Sequence, residues 1–313
     1  MNDARTPVVV VTGFLGSGKT TLVNRLVASE KESLVIVNEF GAVPVDHALL
    51  ENSEERTVAL PNGCICCRVR TDLEEALVGA AMRRRRGEIA GFDRVVIETS
   101  GIADPGPVAQ TLFSDESVAR DYRLGNVVTV VDCADAGGRR AAPEIARAQI
   151  AAADLVVLSK GDRASPEQVR EARDEVSALN GSVRCVEACF GEVDTDMLLA
   201  PTSPEPRRFG AAQHPMGITT FVLEFPQPMP RRLLEQLLSL LVDLRGADLL
   251  RVKGAVPLDG GGMVLVQGVR HVFDRLRAAP PGLPPALVFI TRDISKAEVE
   301  ALRDAIGGLV RPK

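Results

Sequence analysis

Short, almost wholly apolar runs recur along the first two-thirds of the chain, at 8–11, 34–37, 95–97, 127–131, 155–158 and 183–186. Strands that lack the apolar and polar alternation of a half-exposed sheet belong to a parallel sheet covered on both faces. Between them, apolar positions recur at helical spacing over 20–28, 72–82 and 165–179, the last with Ser165 as N-cap and Pro166 at the first helical position. The pattern predicts a doubly wound, mostly parallel α/β domain. It changes at 200–215, where Pro201, Pro204, Pro206 and Pro215 stand among charged and small residues, the composition of a linker. Beyond it come strands at 218–225, 249–253, 263–268 and 286–291, an amphipathic helix over 230–244 and a last helix from Ser295, a smaller α+β domain. The expected division is a domain over 1–203, a linker over 204–216 and a C-terminal domain over 217–313.

Composition narrows the class. With 313 residues, 45% of them hydrophobic, the chain can bury two cores. A net charge of -5 gives no electrostatic reason to expect nucleic acid or a membrane surface as partner. The arginine run 83–86 fits the solvated end of a helix whose apolar face includes Leu73, Leu77 and Met82, where cations meet the negative end of the dipole. No segment has the run of apolar residues a membrane helix needs, and no leader is evident, so a cytoplasmic protein is expected. Cys64, Cys66 and Cys67 are too close together for a disulfide framework and suit metal or redox chemistry. Cys133, Cys185 and Cys189 lie in or beside strands and read as core residues, and the three histidines lack ligand spacing.

The chemistry begins at Gly13-Phe14-Leu15-Gly16-Ser17-Gly18-Lys19-Thr20, which follows an apolar strand and opens a helix. In that context glycine-rich backbone N–H groups curl around nucleotide phosphates at a helix N-terminus. Lys19 is expected on the β and γ phosphates and the Thr20 hydroxyl on Mg²⁺. Glu98 ends the strand 95–97, at the sheet edge where such folds bind ligands, and is the candidate acidic partner of Mg²⁺. Gly101, three residues on, lets a backbone N–H approach the γ-phosphate as a switch. Lys19, Thr20 and Glu98 form the candidate catalytic set.

Ser159-Lys160-Gly161-Asp162 follows another strand and resembles an Asn-Lys-x-Asp base-reading element with its first residue replaced. The Asp162 carboxylate can accept from guanine N1–H and the exocyclic amine, whereas adenine offers no donor at N1. The Lys160 stem can lie over the base. The three clustered thiols, preceded by Gly63, can converge on one soft or borderline ion such as Zn²⁺, with a fourth ligand from elsewhere or an exchangeable position left open. Glu39, directly after the strand 34–37, is the best outside ligand, near the nucleotide edge.

With these pieces in place, the chain resembles the CobW-like metallochaperone GTPases. The likeness is carried by GFLGSGKTTL from Gly13, NEFG from Asn38, NGCICC from Asn62, ETSGIADPGPV from Glu98 and SKGD from Ser159, and in the second domain by LLRVKG from Leu249 and VQGVRH around Gln267. The resemblance implies a P-loop GTPase sheet followed by a CobW-like C-terminal domain. It implies that residues 16–21, Gly16 through Thr21, hold phosphate and Mg²⁺, and that Cys64, Cys66 and Cys67 bind zinc or cobalt. It makes Glu39 and Asp46 switch ligands, Glu39 toward zinc and Asp46 toward Mg²⁺. It also implies slow GTP hydrolysis and delivery of metal to a client metalloprotein; a nucleotide-dependent homodimer stays open. Two departures stand out: Ser159 in place of asparagine, and no histidine-rich tract between the domains. The competing readings are a metal-responsive regulator that captures partners and a P-loop kinase of a small metabolite.

Overall fold

The computed structural model describes residues 4–28, 32–38, 57–59, 68–135, 143–189, 192–199 and 217–310. They fall into two compact units, one built mainly from residues up to 202 and one from 203 onward, the second also claiming Ser177–Ser182.

The first unit is a seven-stranded sheet: β1 (Thr6–Gly13), β2 (Ser33–Asn38), β3 (Thr57–Ala59), β4 (Arg94–Thr99), β5 (Tyr122–Asp132), β6 (Leu155–Ser159) and β7 (Arg184–Glu187). Their order is β3-β2-β4-β1-β5-β6-β7, and every pairing is parallel. Six strands were legible as apolar runs; the seventh, β3, is a three-residue edge strand, too short to make a run. All six residues of β4 and all five of β6 are buried, which explains the unbroken apolar runs. The chain leaves β1 toward β2 on one side and resumes at β5 on the other. The carboxyl end of β1 is therefore the point of reversal where such sheets open a crevice.

Helix α1 (Lys19–Ala28) buries Leu22, Val23 and Leu26. Helix α2 (Arg68–Arg85) buries Leu73, Leu77, Ala80 and Ala81, but Met82 is exposed. The expected apolar face is corrected there, because the buried stripe continues one turn later at residue 84. Arg84 places its guanidinium 4.6 Å from the centre of the Phe92 ring and donates to Thr6 Oγ1 (3.1 Å) and the Phe92 carbonyl (3.2 Å). The arginine run is thus only partly a solvated terminus: Arg85 pairs with Asp121, and Arg84 packs. Among the described residues the unit also has α3 (Gly106–Ser114), α4 (Glu116–Asp121), α5 (Pro143–Ala152), α6 (Pro166–Leu179) and the short α7 (Thr195–Leu199). A reciprocal capping box opens α6, Gln168 N–H to Ser165 Oγ at 3.2 Å and Ser165 N–H to Gln168 Oε1 at 2.7 Å.

The second unit has β8 (Ile218–Glu224), α8 (Arg231–Arg245), β9 (Leu249–Pro257), β10 (Met263–Val269), β11 (Val272–Phe273), β12 (Arg277–Ala278), β13 (Ala286–Arg292) and α9 (Lys296–Val310). Its antiparallel sheet runs β11-β10-β9-β13-β8, with β12 on β10. The core joins Leu234, Leu237 and Leu241 of α8 to Leu223, Val252 and Phe289 of the sheet and Val299 of α9. Phe221 and Phe289 stack at 5.2 Å.

Candidate nucleotide site

The loop between β1 and α1 is shaped by three glycines at positive φ, Gly13 (142°), Gly16 (71°) and Gly18 (98°). A Cβ on Gly13 would stand 2.3 Å from the Val130 carbonyl oxygen, so the loop leaves β1 hard against β5 and only glycine fits. Ser17 N–H donates to the Phe14 carbonyl at 3.2 Å, closing a turn, and the buried Lys19 folds back to donate to the same carbonyl at 3.1 Å. Thr20 is half-buried on α1 and Thr21 is exposed. The Thr20 hydroxyl donates to Glu98 Oε1 at 2.8 Å. Two residues 78 apart in sequence are thereby joined at the reversal point, with Glu98 buried at the end of β4.

Past Glu98 the chain turns sharply, Ala103 N–H donating to the Ser100 carbonyl at 2.9 Å. Gly101 sits against the glycine-rich loop: a Cβ there would lie 2.6 Å from Leu15 N and 2.7 Å from Leu15 Cα. Leu15 and Ile102 both stand exposed beside this contact. Sequence reasoning missed Gln149 of α5, which is 1% exposed and donates through Nε2 to the carbonyls of Ala103 (3.0 Å) and Gly101 (3.3 Å). A polar residue inside an amphipathic helical pattern gives no signal of such a clamp.

Ser159 lies buried at the end of β6, its hydroxyl donating to the Ser17 carbonyl at 2.6 Å and to the Val131 carbonyl at 3.3 Å. Its short side chain reaches the phosphate loop. Lys160 adopts φ 57°, unusual for a residue with a Cβ, and its ammonium pairs with Asp132 Oδ2 at 2.7 Å. The turn closes with Arg163 N–H on the Lys160 carbonyl at 2.9 Å and leaves Asp162 exposed. Asp132 was also missed, although an acid ending a strand at the carboxyl edge is the signal that singled out Glu98. The end of β7 adjoins this turn, with Cys189 Sγ 3.6 Å from where a Gly161 Cβ would stand. Cys189 is exposed and Cys185 half-buried, so only Cys133 of the three scattered cysteines is the core residue expected.

Glu39, Asp46, Cys64, Cys66 and Cys67 lie outside the described residues, as does the expected linker. β2 ends at Asn38, paired in register with Thr99, one residue before Glu39; α2 begins at Arg68, one residue after Cys67. Among the described residues no cluster of three or more His, Cys, Asp or Glu could hold a metal ion, and no helix is long and apolar enough to cross a membrane.

A glycine-rich loop after the central strand of a parallel sheet, a threonine hydroxyl on a strand-end carboxylate and a lysine-aspartate turn two strands away define a P-loop nucleotide-binding protein. The chain belongs to the CobW/HypB/UreG family: that family's nucleotide-binding domain matches residues 7–187, and the cobalamin synthesis protein cobW C-terminal domain matches residues 218–306. It is 33% identical over 314 residues to the zinc chaperone YjiA of Escherichia coli, covering 94% of this chain and 96% of that protein. It is 32% identical over 355 residues to the zinc chaperone CobW of Pseudomonas aeruginosa, covering 97% and 92%. The crystal structure of the Zn(II)-bound YjiA GTPase from E. coli superposes with a TM-score of 0.67 at 28% identity, over 99% of this chain and 100% of that one.

Proposed function

We propose that this P-loop GTPase is a metallochaperone, which takes up zinc through Cys64, Cys66, Cys67 and Glu39 and surrenders it to a client protein when GTP is hydrolysed. The observation that carries the nucleotide half is the Thr20–Glu98 hydrogen bond of 2.8 Å at the mouth of the glycine-rich loop. A hydroxyl and a carboxylate in contact are hard oxygen donors suited to Mg²⁺. Bound there, Mg²⁺ would neutralise charge on the β and γ phosphates. Asp46 is a further candidate for that ion.

Backbone N–H groups of Gly16, Ser17 and Gly18 receive the phosphates, with the Ser17 N–H and Lys19 leaving the Phe14 carbonyl to meet them. The Gly101 N–H faces the γ-phosphate across the contact with Leu15. Ser159 steadies the loop, Lys160 covers the base and Asp162 selects guanine over adenine. Ile102 stands where a water-orienting side chain would be useful and cannot hold water, which makes unassisted hydrolysis slow. Zinc is the cargo. The relatives named as zinc chaperones favour it over Co²⁺, and a reducing cytoplasm would keep the thiols available.

The cargo site and the switch adjoin in sequence, Glu39 following β2 and Cys67 preceding α2, so nucleotide state and metal affinity are linked in both directions. Zinc affinity measured by chelator competition under reducing conditions, with Mg²⁺ and either a non-hydrolysable GTP analogue or GDP, tests this. The expected difference is about tenfold or more, some 1.4 kcal/mol of coupling, and it disappears in Cys66→Ala. Equal zinc affinities in the two nucleotide states overturn the carrier reading.

A further inference from the structure

Two buried oxygens beneath the glycine-rich loop belong to no hydrogen bond among the described residues: Ser17 Oγ and Gln149 Oε1. Each residue is 1% exposed. The orientation of the Gln149 amide is fixed, since its nitrogen faces the carbonyls of Gly101 and Ala103 and the reverse placement would set oxygen against oxygen. Its acceptor oxygen is therefore directed elsewhere. Both residues line one small cavity, together with Phe14, Val130, Asp135 and Asp132, whose carboxylate is engaged by Lys160 and the Ala134 N–H. The space open to the centre of a water, about 10 Å³, admits one water molecule and little more. A hydroxyl and an amide oxygen complement a water well: the water donates to Gln149 Oε1 and exchanges a hydrogen bond with Ser17 Oγ.

We propose that Gln149 is a positioning residue for the phosphate site, clamping the Gly101–Ala103 turn through its amide nitrogen and the glycine-rich loop through one buried water held between its Oε1 and Ser17 Oγ. The inference rests on the nucleotide site proposed above and adds a second connection between its halves. Gly101 already touches Leu15 on the outer side of the loop. The Gln149 link ties the same turn to the same loop from inside the unit. Held from both sides, loop and turn keep their spacing when the γ-phosphate arrives beside their contact, so orientation is set before binding.

The test is a double-mutant cycle on the full chain with Ser17→Ala, Gln149→Leu and the pair, reading kcat at saturating Mg²⁺–GTP, KM, and GDP affinity. Gln149→Leu is expected to lower kcat about tenfold and Ser17→Ala about threefold. The pair should fall no further than Gln149→Leu alone, since either change removes the water's second partner. KM and GDP affinity stay within about threefold of wild type; a protein that is merely loosened would lose GDP affinity and thermal stability together. Wild-type kcat in Gln149→Leu overturns the clamp, and a multiplicative loss of about thirtyfold in the pair overturns the water link. If Gln149→Leu does not fold, Gln149→Asn, whose amide is too short to reach the turn, replaces it under the same criteria. A crystal structure of the wild-type protein reads the link without reference to activity: one water on both oxygens supports it, and a dry cavity sinks it. Failure of the wild-type chain to bind guanine nucleotide would instead defeat the proposed function, leaving the water test standing.

Discussion

The two ends of the nucleotide site are built differently. At the phosphate end side chains from separate elements are tied together in or beside the buried interior: Thr20 on Glu98, Ser159 on the Ser17 carbonyl, Gln149 on the Gly101–Ala103 turn. At the base end a single turn holds Lys160 at positive φ against Asp132 and leaves Asp162 exposed. The contrast follows from the chemistry each end serves. Charge stabilisation needs donors fixed before the reaction, because moving them during it costs free energy. Recognition of a planar base needs one correctly placed acceptor, which a surface turn can supply.

The sharpest way to break this comparison is to add one methyl group at each end. In Gly101→Ala the new Cβ meets backbone atoms of Leu15 at 2.6 and 2.7 Å, and neither chain can yield without displacing the turn. Hydrolysis should fall about a hundredfold or more, the effect of an ångström-scale misplacement, with GDP affinity little changed. Gly161→Ala meets only Cys189 Sγ at 3.6 Å, an ordinary contact, and should hydrolyse GTP within about twofold of wild type. Equal losses in single-turnover assays would mean that the two ends do not differ in rigidity.

Asp162→Asn sharpens the base end. The amide keeps one acceptor for N1–H but sets an N–H donor against the guanine exocyclic amine, where xanthine offers an oxygen, and preference for GTP over xanthosine triphosphate should fall about a hundredfold in competition binding. Ser159 shows where the ends meet. Named in the sequence as part of the base-reading element, it gives its hydroxyl to the phosphate loop. Ser159→Ala should destabilise the fold by about 1–2 kcal/mol, the cost of a buried carbonyl left unpaired. It should also weaken GTP and GDP about equally, with discrimination between bases intact; a loss confined to guanine would return Ser159 to the base.

What the sequence made legible follows the same division. The sheet could be read because β1, β4, β5 and β6 are buried on both faces, and the loop because Gly13, Gly16 and Gly18 stand at fixed spacing. The Thr20–Glu98 meeting was implied by each residue's place at the sheet edge. Gln149 was not legible, since its role depends on which elements lie beside α5, and tertiary contacts leave no periodic mark; Asp132 carried the strand-end signal of Glu98, but its pairing with Lys160 is set by the neighbouring strand. Met82 failed for a local reason: at 3.6 residues per turn the stripe through Leu73 and Leu77 passes through Arg84. Arginine can occupy that position because its stem and planar head pack on Phe92.

The smallest effect separates two helix starts of the same design. Ser165 and Gln168 cap α6, directly after the base-end turn, and Ser295 and Glu298 cap α9, with Ser295 N–H on Glu298 Oε2 at 2.7 Å and Glu298 N–H on Ser295 Oγ at 3.3 Å. Only the second box carries a charge. The backbone N–H of Ser295, then its hydroxyl, hold the Glu298 carboxyl below its ordinary value of 4.5, with Arg245 adding to the effect. A carboxylate depressed in the folded state contributes stability that is fully present above its unfolded value and is lost as the pH falls through the folded one. Glu298 is exposed, so the contribution is small and screened by salt. Hydrogen-exchange protection of the Ser295 amide, corrected for intrinsic rates, should therefore decline from about pH 5 downward, whereas that of the Ser165 amide should not. Parallel decline at both amides would trace the loss to global acid unfolding and leave the charged box no separate contribution.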